Sequence, residues 1–342
     1  MKLFSDTTQT SPLLSICIPT YNRLDLLERA IRSVIAQPEH AQRIEIIVSD
    51  NSDNDKSKIL VEDLLGDWQG QWSYIHNDPP LYMVDNFNRS LQAGVGEYLM
   101  SLHDDDYFLP GALGKALDYL EAHDDKHVHL FGLHVVNSEE GLIKRQAFDK
   151  VRYLEPEAAL WELISDSSFV RVPGIIMKRE TWAELGFFRA GARNQCDLDL
   201  WLAAFAKYGV NCSNVVMSAY TVHTGSMTNL ETFTAENVDN LMGLFSRADT
   251  SLLSGKKLSE GKALFFHKFI FAGIYRQLRW GNWSRAVKVA QLFEHEPVRR
   301  LAVPKRWQLP RQILKILLGF NRGLKPSLVP AMESTRNMFN KD

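Results

Sequence analysis

The sequence predicts an α/β fold: a mostly parallel sheet flanked by helices, followed by a helical C-terminal extension. Three observations predict it. Short apolar runs rich in β-formers alternate with helix-period stretches from Leu13 to Tyr208. Polar residues follow the early strands, where ligands bind in open α/β sheets. After about Thr228 the alternation stops, and residues 232–293 read as helices only.

Leu13–Pro19 (LLSICIP) opens the series as a strand, and polar Thr20, Tyr21, Asn22 and Arg23 follow it. A helix is predicted over Leu24–Gln37, with Leu27, Ala30, Ile31, Val34 and Ile35 on one face. Ile44–Val48 is the second strand and Ser49-Asp50-Asn51-Ser52 its polar turn. A helix over Lys56–Leu65, a strand over Trp72–His76, a helix over Val84–Ala93 and a strand over Tyr98–Leu102 continue the pattern. Three aspartates, Asp104 to Asp106, end that strand, and Pro110 reads as the first residue of the next helix. His127–Val136 and Gly174–Met177 read as further strands, and Asp197–Tyr208 as an amphipathic helix.

Composition bounds the function. With 342 residues, 45% hydrophobic and 23% charged, the chain has room for a large α/β domain and an appendage. A net charge of −2 gives no support for nucleic-acid binding. Cys17, Cys196 and Cys212 are far apart and form no CxxC pair, so neither a disulfide framework nor a zinc site follows. The polar start, Met1 to Ser11, has no apolar signal-peptide core, and no run of about 18 apolar residues spans a membrane. The expected location is the cytoplasm, with any membrane contact peripheral.

Asp104-Asp105-Asp106 is the strongest single feature. Three adjacent carboxylates repel one another, and a folded protein tolerates them best beside a compensating cation. A hard divalent ion that also holds a nucleotide diphosphate suits them, because Mg²⁺ takes few protein carboxylates and keeps phosphate ligands. A solvated, helix-capping acidic turn is the plain alternative.

The context of this cluster carries a resemblance. SICIPTYNR, IEIIVSDNS, GEYLMSLHDDDYFLPGAL, GIIMKRETWAELGFF, CDLDLWLAAFAKYG and YTVHTGSMT occur in that order between Ser15 and Thr228. Together they resemble the family 2 glycosyltransferases, which have the Rossmann-like GT-A fold. DNFNRSLQAGVGEYLMSLHDDD is most similar to the abequosyltransferase-like enzymes of bacterial surface polysaccharide synthesis. The resemblance implies a GT-A domain over residues 1–228, with a nucleotide-sugar half at about 12–107 and an acceptor half at about 108–228. It leaves the helical region 229–294 and the basic segment 295–342 unassigned.

It also implies roles. Pro19, Thr20 and Tyr21 would embrace the base and ribose, and Asp50 would hold the base or ribose. Asp104 would sit near the ribose and Asp105 would bind Mg²⁺ or Mn²⁺, with Asp106 a further candidate ligand. His223 would join the metal or the pyrophosphate. Asp197, opening a helix as the family's acidic pair does, would be the general base that takes the acceptor's proton. Lys178 and Arg179, after the GIIM strand, read as a solvated charge pair, with contact to the acceptor or a phosphate the alternative. Trp161, Trp182 and Trp201 are candidates to line a sugar site, and for Trp201, inside the amphipathic helix, core packing is the better reading.

The implied activity is inverting transfer from a nucleotide diphosphate sugar to a saccharide, lipid-linked acceptor, in O-antigen or capsule synthesis. His103 and Cys196 stand where the family often carries acids. They keep open a rival reading, a catalytically silent sugar-nucleotide-binding or scaffolding subunit. A dinucleotide oxidoreductase is excluded because PTYNR replaces the GxGxxG turn.

The C-terminal segment from His295 to Asp342 holds ten Lys or Arg against three Asp or Glu. From Arg299 to Lys325 basic residues are interleaved with Trp307, Leu309, Ile313, Leu314, Ile316, Leu317, Leu318 and Phe320. A short helix there is expected to lay its apolar side on an anionic membrane surface, or to pack against the preceding helices.

Overall fold

The structure, a computed structural model, describes residues 11–223 and 233–323, with side chains to residue 316 apart from Arg193. The segment GSMT after His223, the boundary at residue 228 and the tail beyond Gly323 lie outside the described residues.

The first half alternates as expected: β1 (Leu14–Thr20), α1 (Leu24–Ile35), β2 (Ile44–Asp50), α2 (Lys56–Leu65), β3 (Gln71–His76), α3 (Met83–Ala93) and β4 (Tyr98–Ser101). Every residue of β1 and β2 is buried. That is why these strands read as continuous apolar runs rather than as alternating ones. Then come β5 (Tyr107–Phe108), α4 (Ala112–Ala122), β6 (Val128–Asn137), β7 (Leu142–Gln146), β8 (Arg152–Leu154) and α5 (Pro156–Ser165). The sheet closes with β9 (Ile175–Lys178), α6 (Arg179–Leu185), α7 (Cys196–Tyr208) and β10 (Val210–Val222).

The strand order is β3-β2-β1-β4-β9-β6-β10-β5, with β7 on β6 and β8 on β10. Pairing is parallel across β3-β2-β1-β4 and between β6 and β10. β9 inserts antiparallel between β4 and β6, and the short edge strands are antiparallel too. The expected α/β class stands, while the sheet's second half is mixed. The carboxyl ends of β1, β2 and β4 therefore form one rim, which carries Thr20, Asp50 and the aspartate turn.

One local expectation changes, and one strand went unread. Pro110 lies in the turn before α4 rather than opening it; Gly111, at φ 66°, makes the left-handed step and α4 starts at Ala112. β10 has thirteen residues in a stretch to which the sequence pattern assigned no element, because Ser213 and Asn214 interrupt its apolar pattern. Its register against β6 shifts between Cys212 and Ser218, a bulge that accommodates the extra residues.

Two cores sandwich the sheet. One joins α1, α2 and α4 through Leu27, Ile31, Val61 and Leu117. The other joins α5 and α7 to the C-terminal helices α8 (Ala235–Arg247), α9 (Gly255–Arg279) and α10 (Trp283–Gln291). Phe205, Phe245, Phe266 and Phe293 all belong to it, so the helical extension shares the core of the sheet. Truncating fully buried Phe266 to alanine is expected to cost about 3–5 kcal/mol.

After α11 (Glu296–Arg299), α12 (Lys305–Gly323) covers this core. Trp307 stacks on Phe271 at 4.7 Å, Arg311 lies 4.6 Å from the Phe293 ring centre, and Leu314 packs inward. Leu309, Ile313 and Ile316, at the same helical spacing, are 65%, 49% and 58% exposed. One face of α12 thus packs on the protein and another presents apolar side chains to solvent. Among the described residues no helix is long and apolar enough to cross a membrane.

Candidate functional site

The rim is built by its loops. β1 ends at Thr20, whose hydroxyl donates to Asp104 Oδ2 at 2.8 Å. Pro19 is buried behind it, and Tyr21 is 57% exposed. Asn22 takes a left-handed turn at φ 53° and donates its N–H to Ser52 Oγ at 2.8 Å. That turn delivers Arg23, whose guanidinium lies 3.2 Å from Asp104 and 3.3 Å from Asp105. Arg23 sat in the PTYNR motif but drew no role from the sequence.

Asp50 is fully buried with both oxygens engaged: Oδ1 accepts Ser52 N–H at 2.7 Å and Oδ2 accepts the Tyr74 hydroxyl at 2.6 Å. In this arrangement it fixes the β2 turn and orients Tyr74, whose phenol is pushed well up by burial and by Asp50. Asn77 ties the neighbouring loops together through Ser49, Asn51 and Asn86, and Asn86 reaches the Thr20 carbonyl.

The aspartate turn follows β4. Burial pushes Asp104 up to about 6, Asp105 adds to that, and Arg23 and Thr20 oppose it. Burial also works against the Asp105 charge, but the hydrogen bond from His223 and the nearby cations outweigh it and hold the carboxyl below its usual range. Asp106 is pushed well up by burial and by Asp105. Its Oδ1 accepts Thr221 N–H at 2.8 Å, while its Oδ2 is buried without a partner. Arg29 braces the turn by donating to the Asp105 carbonyl at 2.6 Å and to Thr221 Oγ1 at 3.1 Å.

These residues fit a divalent metal. One ring nitrogen of His103 and one oxygen each of Asp105 and Asp106 lie within 4.8 Å of one another. His103 Nε2, like Asp106 Oδ2, is buried with no hydrogen-bond partner. An unpaired buried polar atom is costly, and two of them on residues of this cluster suit a cation. Imidazole and carboxylate together suit Mn²⁺, and carboxylates alone suit Mg²⁺. His103 stood in the sequence as a departure from pattern; in the structure it belongs to the cluster. The Phe87 ring lies 4.9 Å from its imidazole. His223 Nε2 approaches Asp105 Oδ2 to 2.9 Å.

Asp197 stands apart from this cluster, in the first turn of α7. Burial pushes its carboxyl up to about 6, against the hydrogen bond from Leu198 N–H at 2.7 Å. Asp199 is unavailable as an alternative base because Arg189 grips both of its oxygens at 2.5 Å. Cys196 is buried and its thiol is pushed up, so it is not a nucleophile. The segment leading into α7 is held near the rim by α3. Asn88 accepts Phe188 N–H at 3.0 Å and donates to Phe188 O at 2.7 Å. Phe87 meets Phe188 at 6.2 Å between ring centres.

The remaining sequence candidates are structural. Trp182 and Trp201 are buried in the core, Trp161 packs against it, Lys178 faces Glu97 at 3.9 Å, and Arg179 donates to the Gly96 carbonyl.

The rim, the buried carboxylates and the order of elements agree with the comparison to known proteins. Residues 15–183 match the family model Glycosyl transferase family 2. This stretch, just under half of the chain, is similar to the family 2 glycosyltransferases. Over 133 residues the chain is 33% identical to the GalNAc(5)-diNAcBac-PP-undecaprenol beta-1,3-glucosyltransferase of Campylobacter jejuni, covering 39% of this chain and 41% of that protein. It is 31% identical to the abequosyltransferase RfbV of Salmonella typhimurium over 113 residues, 33% of this chain and 34% of that one. The chain thus spans less than half the length of each of these two relatives. The mannosyltransferase PcManGT of Pyrobaculum calidifontis, solved with GDP-Man and Mn²⁺, superposes with a TM-score of 0.53 at 14% identity, over 97% of this chain and 89% of that one. The shared fold is GT-A.

Proposed function

We propose that this glycosyltransferase domain moves a sugar from a nucleotide diphosphate sugar to a saccharide acceptor carried on a lipid, in the synthesis of a bacterial surface polysaccharide. The observation that carries the reading is the pair of unpartnered buried atoms, His103 Nε2 and Asp106 Oδ2, in a cluster that includes Asp105. The lipid-linked acceptor rests on the Campylobacter relative's name, and the polysaccharide role also on the Salmonella relative's. Residues 1–228 would be the transferase unit, residues 229–294 a helical region sharing its core, and 295–342 a basic attachment segment.

Pro19, Thr20 and Tyr21 line the base and ribose side, and exposed Tyr21 offers a face for the base. Asp50 acts on that side through Tyr74 and Ser52, and Asp104 lies beside the ribose. Asp105 with Asp106, His103 and His223 would hold Mn²⁺ or Mg²⁺, which when bound neutralises charge on the diphosphate. Arg23 limits the repulsion between Asp104 and Asp105. Asp197 takes the proton of the acceptor hydroxyl as that oxygen attacks the anomeric carbon opposite the diphosphate, and the anomeric centre inverts. A carboxyl poised at about 6 is ionised at neutral pH and is a stronger base than an exposed one.

The exposed face of α12 supports attachment to an anionic bilayer. Leu309, Ile313 and Ile316 would enter the headgroup region, with Lys305, Arg306 and Lys315 flanking them. Basic residues near such a surface are worth about 1 kcal/mol each. Attachment would bring the rim to the lipid-linked acceptor.

Nucleoside diphosphate release from a panel of sugar nucleotides tests the transferase reading. Slow release by the wild-type protein, lost in Asp197→Asn, supports it; nucleotide binding with no turnover on any acceptor extract would favour a silent binding subunit.

A further inference from the structure

Arg23 grips its carboxylates differently from Arg29 and Arg189. A single nitrogen, Nη1, reaches both, at 3.2 Å to Asp104 Oδ1 and 3.3 Å to Asp105 Oδ2. Charge-assisted bonds are normally about 2.7–2.9 Å, and the strongest use two nitrogens in parallel. Arg189 makes such a fork on Asp199, and Arg29 braces the aspartate turn through the Asp105 carbonyl at 2.6 Å. The Arg23 contact is long and one-pronged by comparison. Its side chain is 33% exposed, against 6% and 14% for the two carboxylates. Its backbone is tied down, because Asn22 turns at φ 53° and the Arg23 carbonyl accepts Leu27 N–H at 2.9 Å. The guanidinium is thus free to change partner while its base stays on the rim.

Asp105 belongs to two sets at once. Its Oδ2 accepts from Arg23 and lies 2.9 Å from His223 Nε2, and one of its oxygens is part of the cluster with His103 and Asp106. A divalent ion in that cluster and a guanidinium on the same carboxyl repel each other, the more so beside largely buried carboxylates. We propose that Arg23 is an exchangeable counter-ion. It neutralises Asp104 and Asp105 until a divalent ion takes Asp105, and then pairs with the diphosphate that arrives there. The second step rests on the transferase reading and deepens it, since the nucleotide supplies the anion that the displaced arginine needs. Arg23 would then oppose metal binding alone and favour metal and nucleotide together, a coupling that acts equally in both directions.

Two titrations of the full chain separate this exchange from a fixed brace. In the first, Mn²⁺ is added without nucleotide and the free ion is read by electron paramagnetic resonance. Arg23→Gln should bind Mn²⁺ about fivefold or more tighter than the wild type. In the second, nucleoside diphosphates are titrated calorimetrically at saturating Mn²⁺, and the same variant should bind about tenfold more weakly. Arg23→Lys, which keeps the charge without the fork, should stay near wild type for Mn²⁺ alone and fall between the two proteins for nucleotide. Circular dichroism checks folding, and Arg23→Ala stands in if the glutamine variant is not folded. Mn²⁺ affinity unchanged or lower in the neutral variant, or no Mn²⁺ binding by either protein, would overturn the exchange. Tighter Mn²⁺ binding with unchanged nucleotide affinity would overturn its second step, the pairing with diphosphate. Tighter Mn²⁺ binding in a protein that takes no nucleoside diphosphate at all would count against the transferase reading and leave the first step standing.

Discussion

His223 Nε2 lies 2.9 Å from Asp105 Oδ2, although 118 residues separate the two in the chain. β10 makes the contact possible: its parallel pairing with β6 carries Thr221 and His223 to the aspartate turn that follows β4. A histidine on one element and three carboxylates on another thus form a single electrostatic unit. If that unit holds the metal, Asp105→Ala should remove the strengthening of nucleoside diphosphate binding by Mn²⁺, expected to be about tenfold or more in the wild type. Calorimetry with and without chelator measures it.

Asp197→Asn should lower turnover by about 10²–10⁴-fold while leaving donor affinity nearly intact. In the wild type, turnover should rise with pH through about 6, as the Asp197 carboxyl ionises. Near-normal turnover in the variant would remove Asp197 from the role, and Asp199 could not replace it while Arg189 holds both its oxygens.

The same shift sets a stability prediction. The folded state holds the Asp197 proton more tightly than the unfolded chain does, with a pKa raised from 3.8 to about 6. Between those values the unfolded state binds fewer protons, so this group's contribution to stability falls as pH rises, and the full cost stands above about 6. Asp197→Asn carries no charge and can still accept the Leu198 N–H. Its Tm should exceed that of wild type at pH 7.5, and the two should converge toward pH 4.

Asn88→Ala tests how the segment before α7 is held. The substitution leaves both Phe188 backbone groups without their partner, at a cost of about 1–3 kcal/mol. Turnover should fall more than nucleotide affinity, because Asn88 touches the base-bearing segment and not the aspartate turn. Equal losses in both would contradict this division.

Much of this was legible in the sequence, for physical reasons. α2 was legible because its apolar pattern and flanking turns agree. β1, β2 and the aspartate turn were legible because buried parallel strands are uniformly apolar and their ends are polar. β10 was not, because a bulge and polar residues hide a strand from a period-two reading. The parts of the site that escaped are those made by distant pairs. Arg23 depends on the Asn22 turn, and the occupied carboxyl of Asp50 depends on Tyr74 from the next strand. His103 looked like a departure because only its burial without a partner shows what it faces. On α12 the apolar residues divide between two faces, which a linear pattern does not separate: Trp307 and Leu314 pack inward while Leu309 and Ile313 face solvent.

That exposed stripe has its own test. Cosedimentation with anionic liposomes at low salt should carry down the full chain, weaken at high salt, and fail for a triple Leu309→Glu, Ile313→Glu, Ile316→Glu variant. Undiminished binding by the triple variant would place attachment elsewhere.

The central claim, a metal-assisted nucleotide-sugar site on the β1-β2-β4 rim, is tested most directly by one titration. A panel of nucleoside diphosphates is titrated into the full chain with Mn²⁺ and again in excess chelator. The account predicts that at least one nucleotide binds, that binding weakens about tenfold or more without metal, and that His103 and Asp106 variants each lose part of that difference. Equal affinity in Mn²⁺ and in chelator, or no binding by any nucleoside diphosphate, would contradict it.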